Sequence, residues 1–597
     1  MTSHSPPTKV GQVVPHNRWD LLEVPDLGSW KPTRQVSAVI PHYQAPEALR
    51  ITLAALSRQT YPSELLEVVV VDDGSQPPLE LPEGLFGLQL RLEHQDDRGF
   101  GLARARNRGA RVARGDILVF LDCDMVPEPW QIEAHARWHH VTDHAVTIGF
   151  RRHVEFGGLD PDDVLEALDG GDLTGLFAEH EQQWPEWVDG HMLRTDDLTS
   201  AHDDLFRVLS GGNLGIRKDR YWDIGGSDES FTQWGAEDTE FGYRAFVAGA
   251  LIVPERRALC WHQGFGHLPD ASERRSLEQQ RAKIAHLVAH TGFRRTLPGR
   301  SFVVPRVVAE VATAGASVST ITATVEALLG STLHDLQVVL EFGDDLEDAE
   351  RLARDLGWDP RVTVGPIPDV PAPYLMSLPA GAVVSERTVD TLVRMLTDPA
   401  EPLGIVQVTV PDRRPDEATV TMMRARALGR ARWAGADGDE VVGLAGALFG
   451  RRWVSGLDVG LAWHELDEPT QAAVHAGPTS ASEVDQLQEL WRSFERLDPS
   501  QRQSILTLAE RVMRMSPSRR SWLLRLGSRL VGVVSALAAT RRIRSPEDAV
   551  RVSRGVAAAF VPARLIEARR RRRAPAGGEP VTGPSGVGSG SAGSGSG

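Results

Sequence analysis

Cysteine is scarce and long apolar runs are absent from this sequence of 597 residues. Its two cysteines, Cys123 and Cys260, are too few for a disulfide framework and fit a reducing compartment, so we expect a cytoplasmic protein. No stretch of about 20 uninterrupted apolar residues occurs, which argues against a transmembrane helix. The polar, proline-rich residues 1–35 lack the apolar core of a signal peptide.

An excess of basic residues is also missing. The 65 Lys and Arg residues stand against 81 Asp and Glu residues, which gives a net charge of −16. A protein that binds nucleic acid without sequence preference needs a basic face for the phosphates, so we expect no nucleic-acid partner. The hydrophobic content of 41% instead predicts a globular protein of several domains.

The C-terminal region contains the apolar stretch that comes nearest to a membrane segment. Residues 476–573 have helical periodicity, residues 523–543 are apolar between arginines, and residues 569–573 are five consecutive arginines. Two interpretations remain open: basic helices that bind peripherally at the inner face of the cell membrane, or ordinary packing helices with a solvated basic end. Residues 574–597 are a Gly/Ser/Pro-rich tail typical of a linker.

A strand, a helix and a second strand are predicted near the N-terminus. The apolar run Val36–Ile40 stops at Pro41, an amphipathic helix follows at about residues 46–59, and residues 68–71 lead into Asp72 and Asp73. Continuous valine runs are typical of parallel strands covered on both faces, whose ligands bind beyond the carboxyl ends of the strands. We therefore expect a ligand near these two aspartates.

A second pair of carboxylates follows another predicted strand. Residues 117–121 are apolar and end in Asp122-Cys123-Asp124. Carboxylate oxygens at a strand end suit a hard cation, and such a cation suits a diphosphate. The alternative is an acidic surface turn, which is the commoner origin of an isolated motif of this kind.

Three further segments carry polar side chains. In residues 93–116, glycines precede a predicted helix whose arginines could neutralise phosphate or form an exposed basic face: Arg104, Arg106, Arg108 and Arg111. Residues 155–205 hold fifteen acids and one arginine and are predicted to be a mostly loop-like insertion. Glu237 and Asp238 open a predicted helix, where the helix dipole alone would favour them, and His262 ends a predicted strand.

In order, the segments VSAVIPHYQ, VVVVDDGS, ARARNRGA, FLDCDMVPEPW, SGGNLGIRK and WGAEDTEFGYRAFVAGA resemble the family-2 inverting glycosyltransferases of the GT-A fold. The similarity is strongest to the branch of bacterial chondroitin-type polymerases. The galactosyltransferase-like motif of the polypeptide N-acetylgalactosaminyltransferases also belongs to this branch. The resemblance covers residues 35 to about 270 and implies a metal-dependent transfer of a hexose or N-acetylhexosamine from a UDP-sugar to a glycan or lipid-linked acceptor.

The resemblance also implies roles for individual residues. Asp72 and Asp73 would hold the uracil and ribose, and Asp238, beside Glu237, would deprotonate the acceptor hydroxyl. A Mn²⁺ or Mg²⁺ would bind Asp122, Asp124 and His262. The nucleotide-sugar site would further include Pro41, Tyr43, Arg106, Asp122, Gly212, Asn213 and Trp234.

The second half of the chain repeats the strand, helix, strand pattern. A two-residue gap aligns Thr332 with Thr60 and brings the valine strands into register. Ser385-Glu386-Arg387 would then replace the two metal-binding aspartates, and residues 446–465 would echo the SGGNLGIRKDRYW segment without a Glu-Asp pair. We predict a degenerate GT-A-like domain with a structural, acceptor-binding or dimerising role, and the rival interpretation is a second active site.

The fold class we predict is α/β with an N-terminal extension (1–34), a catalytic GT-A domain (35–299), a degenerate GT-A-like domain (300–475), a helical region (476–573) and a tail (574–597). Two other functions stay open. A nucleotidyltransferase shares the strand-end acids but not the W-G-x-E-D segment. A glycan-binding scaffold would keep the fold without the chemistry.

Overall fold

The computed structural model describes residues 11–265, 271–342, 351–352, 354–411, 413–415 and 418–463, without side chains for 271–273. The predictions for residues 476–573 and for the tail at 574–597 lie outside these ranges, as do the first ten residues of the N-terminal extension. Within the described ranges, no helix has the length and apolar character needed to cross a membrane.

A nine-stranded mixed sheet forms the first half. Its strands are β1 (Val36–His42), β2 (Leu66–Asp72), β3 (Gln89–His94), β4 (Ile117–Leu121), β5 (Met125–Pro127), β6 (Ala145–Val154), β7 (Gln182–Gln183), β8 (Asn213–Arg217) and β9 (Leu251–Gln263). The order is β3-β2-β1-β4-β8-β6-β9-β5, with β7 on β6. Strands β1 to β4 run parallel, and β8 pairs antiparallel with both β4 and β6.

Eight helices accompany this sheet: α1 (Pro46–Leu56), α2 (Leu102–Val112), α3 (Gln131–His139), α4 (Pro161–Asp169), α5 (Glu186–Arg194), α6 (Lys218–Asp223), α7 (Glu237–Val247) and α8 (Ala271–Leu287). The predicted first βαβ unit is confirmed. Residues 36–40 are fully buried, as a parallel strand covered on both faces must be. Helix α1 starts at a proline and packs Leu49 and Leu53 into the core beneath the sheet.

The acidic insertion is more helical than predicted. Helices α4 and α5 and the short strand β7 lie within residues 155–205. Asp160 caps α4 by accepting hydrogen bonds from the backbone N–H groups of Asp162 (2.8 Å) and Asp163 (3.1 Å). These elements cover 20 of the 51 residues, so the segment is mostly loop-like as predicted, but the two helices were not predicted. Acidic residues in the first turns of α4 and α5 stabilise both helices.

A seven-stranded sheet forms the second half, from β10 (Val307–Ala312), β11 (Leu336–Glu341), β12 (Val362–Val364), β13 (Tyr374–Pro379), β15 (Ile405–Thr409), β16 (Thr419–Arg424) and β17 (Arg451–Ser455). A separate pair consists of β14 (Ala382–Val384) and β18 (Leu461–Trp463). The helices of this half within the described residues include α9 (Val318–Leu329), α10 (Thr388–Thr397), α11 (Ala425–Trp433), α12 (Asp439–Phe449) and α13 (Gly456–Val459).

The two sheets have the same topology. The order β12-β11-β10-β13-β16-β15-β17 reproduces β3-β2-β1-β4-β8-β6-β9 strand for strand, with the same parallel and antiparallel neighbours. Thr60 N–H donates to the carbonyl of Pro129 at 2.9 Å, and Thr332 N–H donates to that of Glu386 at 2.7 Å. The predicted alignment of Thr332 with Thr60 is thereby confirmed, and the second half is a copy of the first fold.

One register in the second copy differs from the prediction. Ile117 starts β4 opposite Val36, and Tyr374 starts β13 opposite Val307, so the positions after these strands can be counted directly. The counterparts of Asp122, Cys123 and Asp124 are the residues Pro379, Ala380 and Gly381, and not residues 385–387. The prediction treated residues 380–384 as the metal strand, whereas they are the turn and strand that follow it.

The metal position of the second copy is filled by a ring. A Cβ atom added to Gly381 would lie within 3 Å of the indole of Trp463, and the guanidinium of Arg413 stands 4.7 Å from the centre of that ring. A carboxylate therefore has no room at this position. The second copy therefore lacks the metal-binding acids, as predicted. The residues in their place are 379–381 and not the predicted 385–387.

The predicted echo in residues 446–465 was also misplaced. This segment contains the end of α12, then β17, α13 and β18, which correspond to the end of α7 and to β9. The counterpart of the β8–α6 segment is β16 with α11. Helix α12, which corresponds to α7, does begin with two acids, Asp439 and Glu440, but both are exposed. Residues 365–373, where a copy of α2 would lie, contain no helix.

The described residues of the two halves belong to one compact unit. Helix α11 packs against the C-terminal end of α7, where Gly429 and Gly249 bring the two backbones together. The buried guanidinium of Arg430 donates to the carbonyls of Gly249 (2.5 Å) and Val14 (2.9 Å). Asn17, from the predicted N-terminal extension, donates to the carbonyl of Ile252 at 2.8 Å, so this segment packs on the first half.

The Gly429 contact can be tested by adding one methyl group. Gly429→Ala would place Cβ within 3 Å of the backbone of Ala248, and such overpacking should lower the free energy of unfolding by roughly 1–3 kcal/mol. Gly443→Ala, in the neighbouring helix α12 with no atom within 4 Å, should leave stability unchanged or raise it slightly. Urea denaturation measures both variants. Equal stability of the two would contradict the close packing of α11 on α7.

Candidate active site

Asp72 and Asp73 end strand β2, and both are already engaged by protein groups. Asp72 is 1% exposed and contacts the imidazole Nδ1 atoms of His42 (3.1 Å) and His94 (3.3 Å). Burial tends to raise its pKa, but hydrogen bonds from Ser75, His42, Leu79 and His94 outweigh it and lower the pKa overall. Asp72 is thus committed to holding the loop after β2.

Asp73 faces the N-terminus of α2. Its carboxylate accepts hydrogen bonds from the backbone N–H of Gly101 (2.8 Å), the side-chain amide of Gln95 (2.7 Å) and the guanidinium of Arg104 (3.0 Å). The side chain is about one-tenth exposed. Of the two predicted nucleoside contacts, only Asp73 lies at the accessible surface of this edge of the sheet.

Arg106 joins the two carboxylates that were predicted to act on opposite sides of the reaction. It lies on α2, and its side chain is 5% exposed. Its guanidinium donates hydrogen bonds to the carboxylates of Asp238 at 2.8 Å and Asp122 at 3.2 Å. Burial alone would lower the pKa of this guanidinium, but the carboxylates of Asp238 and Asp122 keep the pKa above its usual value. Arg106 on α2 therefore brings together the residue that follows β4 and the first turn of α7.

The glycines before β8 allow this approach. A Cβ atom at Gly212 would lie within 3 Å of an Asp122 carboxylate oxygen, and one at Gly211 would meet both Arg106 and Asp238. Any side chain at these positions would separate the charged groups. The predicted role of Gly212 as a site residue is therefore one of close backbone approach.

Asp124 and His262 form a second pair at the same edge. His262 Nε2 lies 3.4 Å from Asp124 Oδ2, and His262 Nδ1 is 3.0 Å from the carbonyl of Gly264. The contact of Nδ1 with that carbonyl orients the imidazole ring so that Nε2 faces the Asp124 carboxylate. An imidazole oriented in this way by its other nitrogen is the usual form of a histidine metal ligand.

The donor set fits a divalent cation only in part. Among the described residues, no group of three or more His, Cys, Asp or Glu side chains is close enough to hold a metal ion. Asp122 is turned toward Arg106, which leaves Asp124 and His262 as the converging donors. An ion at this place would need further oxygen ligands from a bound diphosphate or from water, as is common for Mg²⁺.

Helix α7 presents Glu237 and Asp238 on its first turn. It is entered through Gly235 (φ 100°) and Ala236 (φ 74°), and a left-handed alanine at a helix start indicates local strain. Asp238 is 28% exposed, whereas Glu237 is 8% exposed and has a buried carboxylate oxygen without a hydrogen-bond partner. Burial, then the nearby Asp238 carboxylate, raises the pKa of Glu237 to about 7.

An open groove of about 530 Å³ lies beside this turn. Phe100, Trp234 and residues at the start of α8, including Ser276 and Gln279, line it. Trp234 is 54% exposed, which leaves a ring face for a ligand. At the carboxyl end of β1, Pro41 is buried in the strand and Tyr43 is half exposed just after it.

Asn213 is the predicted ligand-binding residue that the structure places elsewhere. It is 2% exposed, and its amide nitrogen donates to the carbonyls of Phe150 (3.1 Å) and Ala258 (2.9 Å). Its oxygen accepts from Gln131 (2.8 Å) and contacts His135 Nε2 (2.9 Å). Both side-chain polar atoms of Asn213 are thus hydrogen-bonded within the core and are not available to a nucleotide sugar. The side chain instead links β8 to β6, β9 and α3.

Several residues of the site were not singled out from the sequence. His42 and His94 hold Asp72, and the ring of His153 lies 4.4 Å from that of His262. Arg104, one of the arginines predicted as possible phosphate contacts, holds Asp73 instead. His42 stands between the predicted residues Pro41 and Tyr43, at the end of a strand. Its position at the end of a predicted strand could have identified His42 as a site residue, because residues at the carboxyl end of β1 lie beside those at the end of β2.

Two family models match the residues that build this site. Residues 37–193 match the family described as "Glycosyl transferase family 2", and residues 203–254 match "N-terminal domain of galactosyltransferase". The chain therefore carries a glycosyl transferase family 2 domain. The predicted resemblance and the predicted GT-A fold of the first half are confirmed, and the repeated topology extends that fold to the second half.

Curated relatives match over part of their length. The chain is 32% identical to chondroitin synthase of Escherichia coli over 38% of this chain and 34% of the relative. It is 29% identical to hyaluronan synthase of Pasteurella multocida over 60% and 37%, respectively. Validoxylamine A glucosyltransferase of Streptomyces hygroscopicus subsp. limoneus is 32% identical over 37% and 50%. The match thus spans a third to a half of these relatives.

Replacement of Asn213 separates a structural role from a ligand-binding one. Asn213→Ala would leave two buried carbonyls and two side chains without partners, at a cost of about 1–3 kcal/mol for each unsatisfied group. We expect a lower melting temperature, measured by thermal unfolding, and unchanged nucleotide affinity in the folded fraction. A variant of normal stability that binds nucleotide weakly would contradict this assignment.

Proposed function

We propose that the first half transfers a hexose or N-acetylhexosamine from a UDP-sugar to a hydroxyl of a glycan or lipid-linked acceptor, with inversion at the anomeric carbon. The observation that carries this proposal is the contact of Arg106 with both Asp122 and Asp238. It supports a site in which the leaving-group side and the acceptor side of the reaction lie a few ångströms apart.

The acceptor side is assigned to Asp238. One of its oxygens is held by Arg106 at 2.8 Å, and the side chain is partly exposed beside the groove that contains Trp234. A carboxylate so oriented can take the proton of an attacking hydroxyl if that hydroxyl comes within hydrogen-bond reach. A single displacement from the face opposite the leaving group inverts the anomeric centre.

The leaving-group side is assigned to the edge formed by β2, β4 and β9. Asp73 is the candidate nucleoside contact, and Asp124 and His262 would hold a Mn²⁺ or Mg²⁺ together with oxygen ligands from the diphosphate or from water. When bound, such an ion supplies Lewis-acid stabilisation of the diphosphate. The convergence of His262 Nε2 and Asp124 Oδ2, which lie 3.4 Å apart, supports this assignment, because both atoms can be ligands of one cation.

The second half supplies the contrast that argues against a non-catalytic scaffold. In the second half, Pro379-Ala380-Gly381 occupies the position of the metal motif, and the indole of Trp463 packs against Gly381. Residues 365–373, where a copy of α2 would lie, contain no helix. The first half keeps the acids, the glycines that let them approach and the buried arginine between them. We therefore assign activity to one site, and a bifunctional polymerase is disfavoured.

Asp238→Asn tests the base. The amide keeps a hydrogen-bonding partner for Arg106 but cannot accept the proton, so transfer should fall by roughly 10²–10⁴-fold. Nucleotide binding, measured by calorimetry, should remain nearly unchanged. Asp169→Asn, an exposed carboxylate paired with Arg58, is the control and should transfer at the unmutated rate. Transfer by Asp238→Asn at the rate of this control would remove Asp238 from the proposal.

Asp124→Ala tests the metal. A thermal-shift panel of UDP- and GDP-sugars with and without Mn²⁺ should show metal-dependent stabilisation of the unmutated chain by UDP-sugars, about 2.7 kcal/mol at a hundredfold excess over Kd. The variant should lose the metal-dependent part. A complete absence of nucleotide stabilisation in the unmutated chain would favour the scaffold interpretation instead.

A further inference from the structure

A cavity of about 230 Å³ lies where the two copies of the fold meet, away from the proposed transfer site. The end of the acidic insertion and the C-terminal part of α7 form one wall. The start of β10, the start of β13 and the β16–α11 junction form the other. Four side chains of the lining carry a formal charge: Asp203, Arg306, Arg424 and Arg426.

One carboxylate in this cavity is shared by two donors. Asp203 accepts from the guanidinium of Arg424 at 2.7 Å and, through its other oxygen, from the hydroxyl of Tyr374. Arg424 also donates to the carbonyl of Leu396, yet its buried Nε has no hydrogen-bond partner. The negative charge of Asp203 is therefore fully used by a single arginine and a tyrosine.

Arg426 is buried and makes no ion pair with a carboxylate among the described residues, and the Asp203 charge acts on it only from beyond ion-pair distance. It is 5% exposed, and its guanidinium donates to the side-chain oxygen of Asn17 at 2.8 Å and lies 4.0 Å from the ring centre of Phe246. Its Nε is buried and unpartnered. A buried cation that is not balanced by an anion is strongly unfavourable, so neutral partners alone leave this charge poorly compensated.

Arg306 adds a third guanidinium. It is half buried, stands 5.8 Å from the ring centre of Tyr374, and forms no ion pair with a carboxylate in the part of the chain that the structure describes. Three guanidinium groups thus surround a cavity that contains one carboxylate. They arise from two places in the chain, Arg306 before β10 and the neighbouring Arg424 and Arg426 at the β16–α11 junction. Guanidinium groups on two walls of a cavity favour an anion that accepts hydrogen bonds in several directions over a planar carboxylate.

We propose that this cavity binds a phosphate-class anion, either free phosphate or the phosphate of a small ester. The anion neutralises Arg306 and Arg426 and links the second copy of the fold to the C-terminal end of α7, whose first turn carries Glu237 and Asp238. The site is distinct from the diphosphate position at Asp124, and it does not depend on the proposed transferase activity.

The experiment is a titration of the full chain with inorganic phosphate against chloride at equal ionic strength. EDTA is present throughout, so that no divalent ion can support binding at Asp124. Thermal unfolding and calorimetry should show saturable, phosphate-specific stabilisation. Arg306→Gln should weaken phosphate binding by roughly tenfold or more, the loss of one charged hydrogen-bond donor. Arg300→Gln removes an exposed arginine nearby and should bind as the unmutated chain does.

A second variant leaves every charge in place. Ala201→Leu fills the cavity from the insertion side and should abolish the phosphate effect even if Arg306→Gln folds poorly. Glucose 1-phosphate in place of phosphate distinguishes the two sources: an ester that binds at least as well points to an esterified ligand, and one that fails to bind points to the free ion. The proposal would be overturned if phosphate gave no specific stabilisation of the unmutated chain. It would also be overturned if phosphate stabilised Arg306→Gln and Ala201→Leu as much as the unmutated chain, because binding would then be that of an adventitious ion only.

Discussion

A single buried cation, Arg106, fixes the geometry on which the candidate site depends. Removing a guanidinium from water is costly, and here the cost is offset by two carboxylates that belong to different elements, Asp122 after β4 and Asp238 on α7. The same contact requires Gly211 and Gly212, because any side chain there would push the charges apart. Loss of Arg106 would leave two carboxylates facing each other, so the three residues form one unit.

The second copy of the fold indicates which features are independent of that unit. Its sheet keeps the strand order, the strand directions and even the Thr332 backbone hydrogen bond, since these depend on backbone pairing and buried apolar side chains. It has no helix in the place of α2, and the acids that open α12 are exposed. Burial of a carboxylate is unfavourable without a cation to neutralise it, so the acids at the start of α12 remain in solvent.

The sequence predicted the first sheet and the clustering of the acids well because apolar runs and strand ends are local signals. It could not predict how each polar side chain is used. Asp72 and Asn213 have the residue types of ligand-binding positions, yet partners distant in sequence, such as His94 and Ala258, consume their hydrogen bonds. The metal-strand register of the second copy failed for a related reason: residues 380–384 are apolar like a strand of the main sheet, and only the pairing of β14 with β18 distinguishes them.

The contacts between the copies suggest why a fold without its chemistry is retained. Helix α7 carries Asp238 at its N-terminal end, and its C-terminal end meets α11 through Gly249, Gly429 and the buried Arg430. A carboxylate that must stay within hydrogen-bond reach of a substrate needs a rigid helix beneath it. Because the second copy packs on the end of α7 opposite to Asp238, it can hold that helix in place without any residue in the reaction. Helix α11, rather than the second sheet itself, makes this contact.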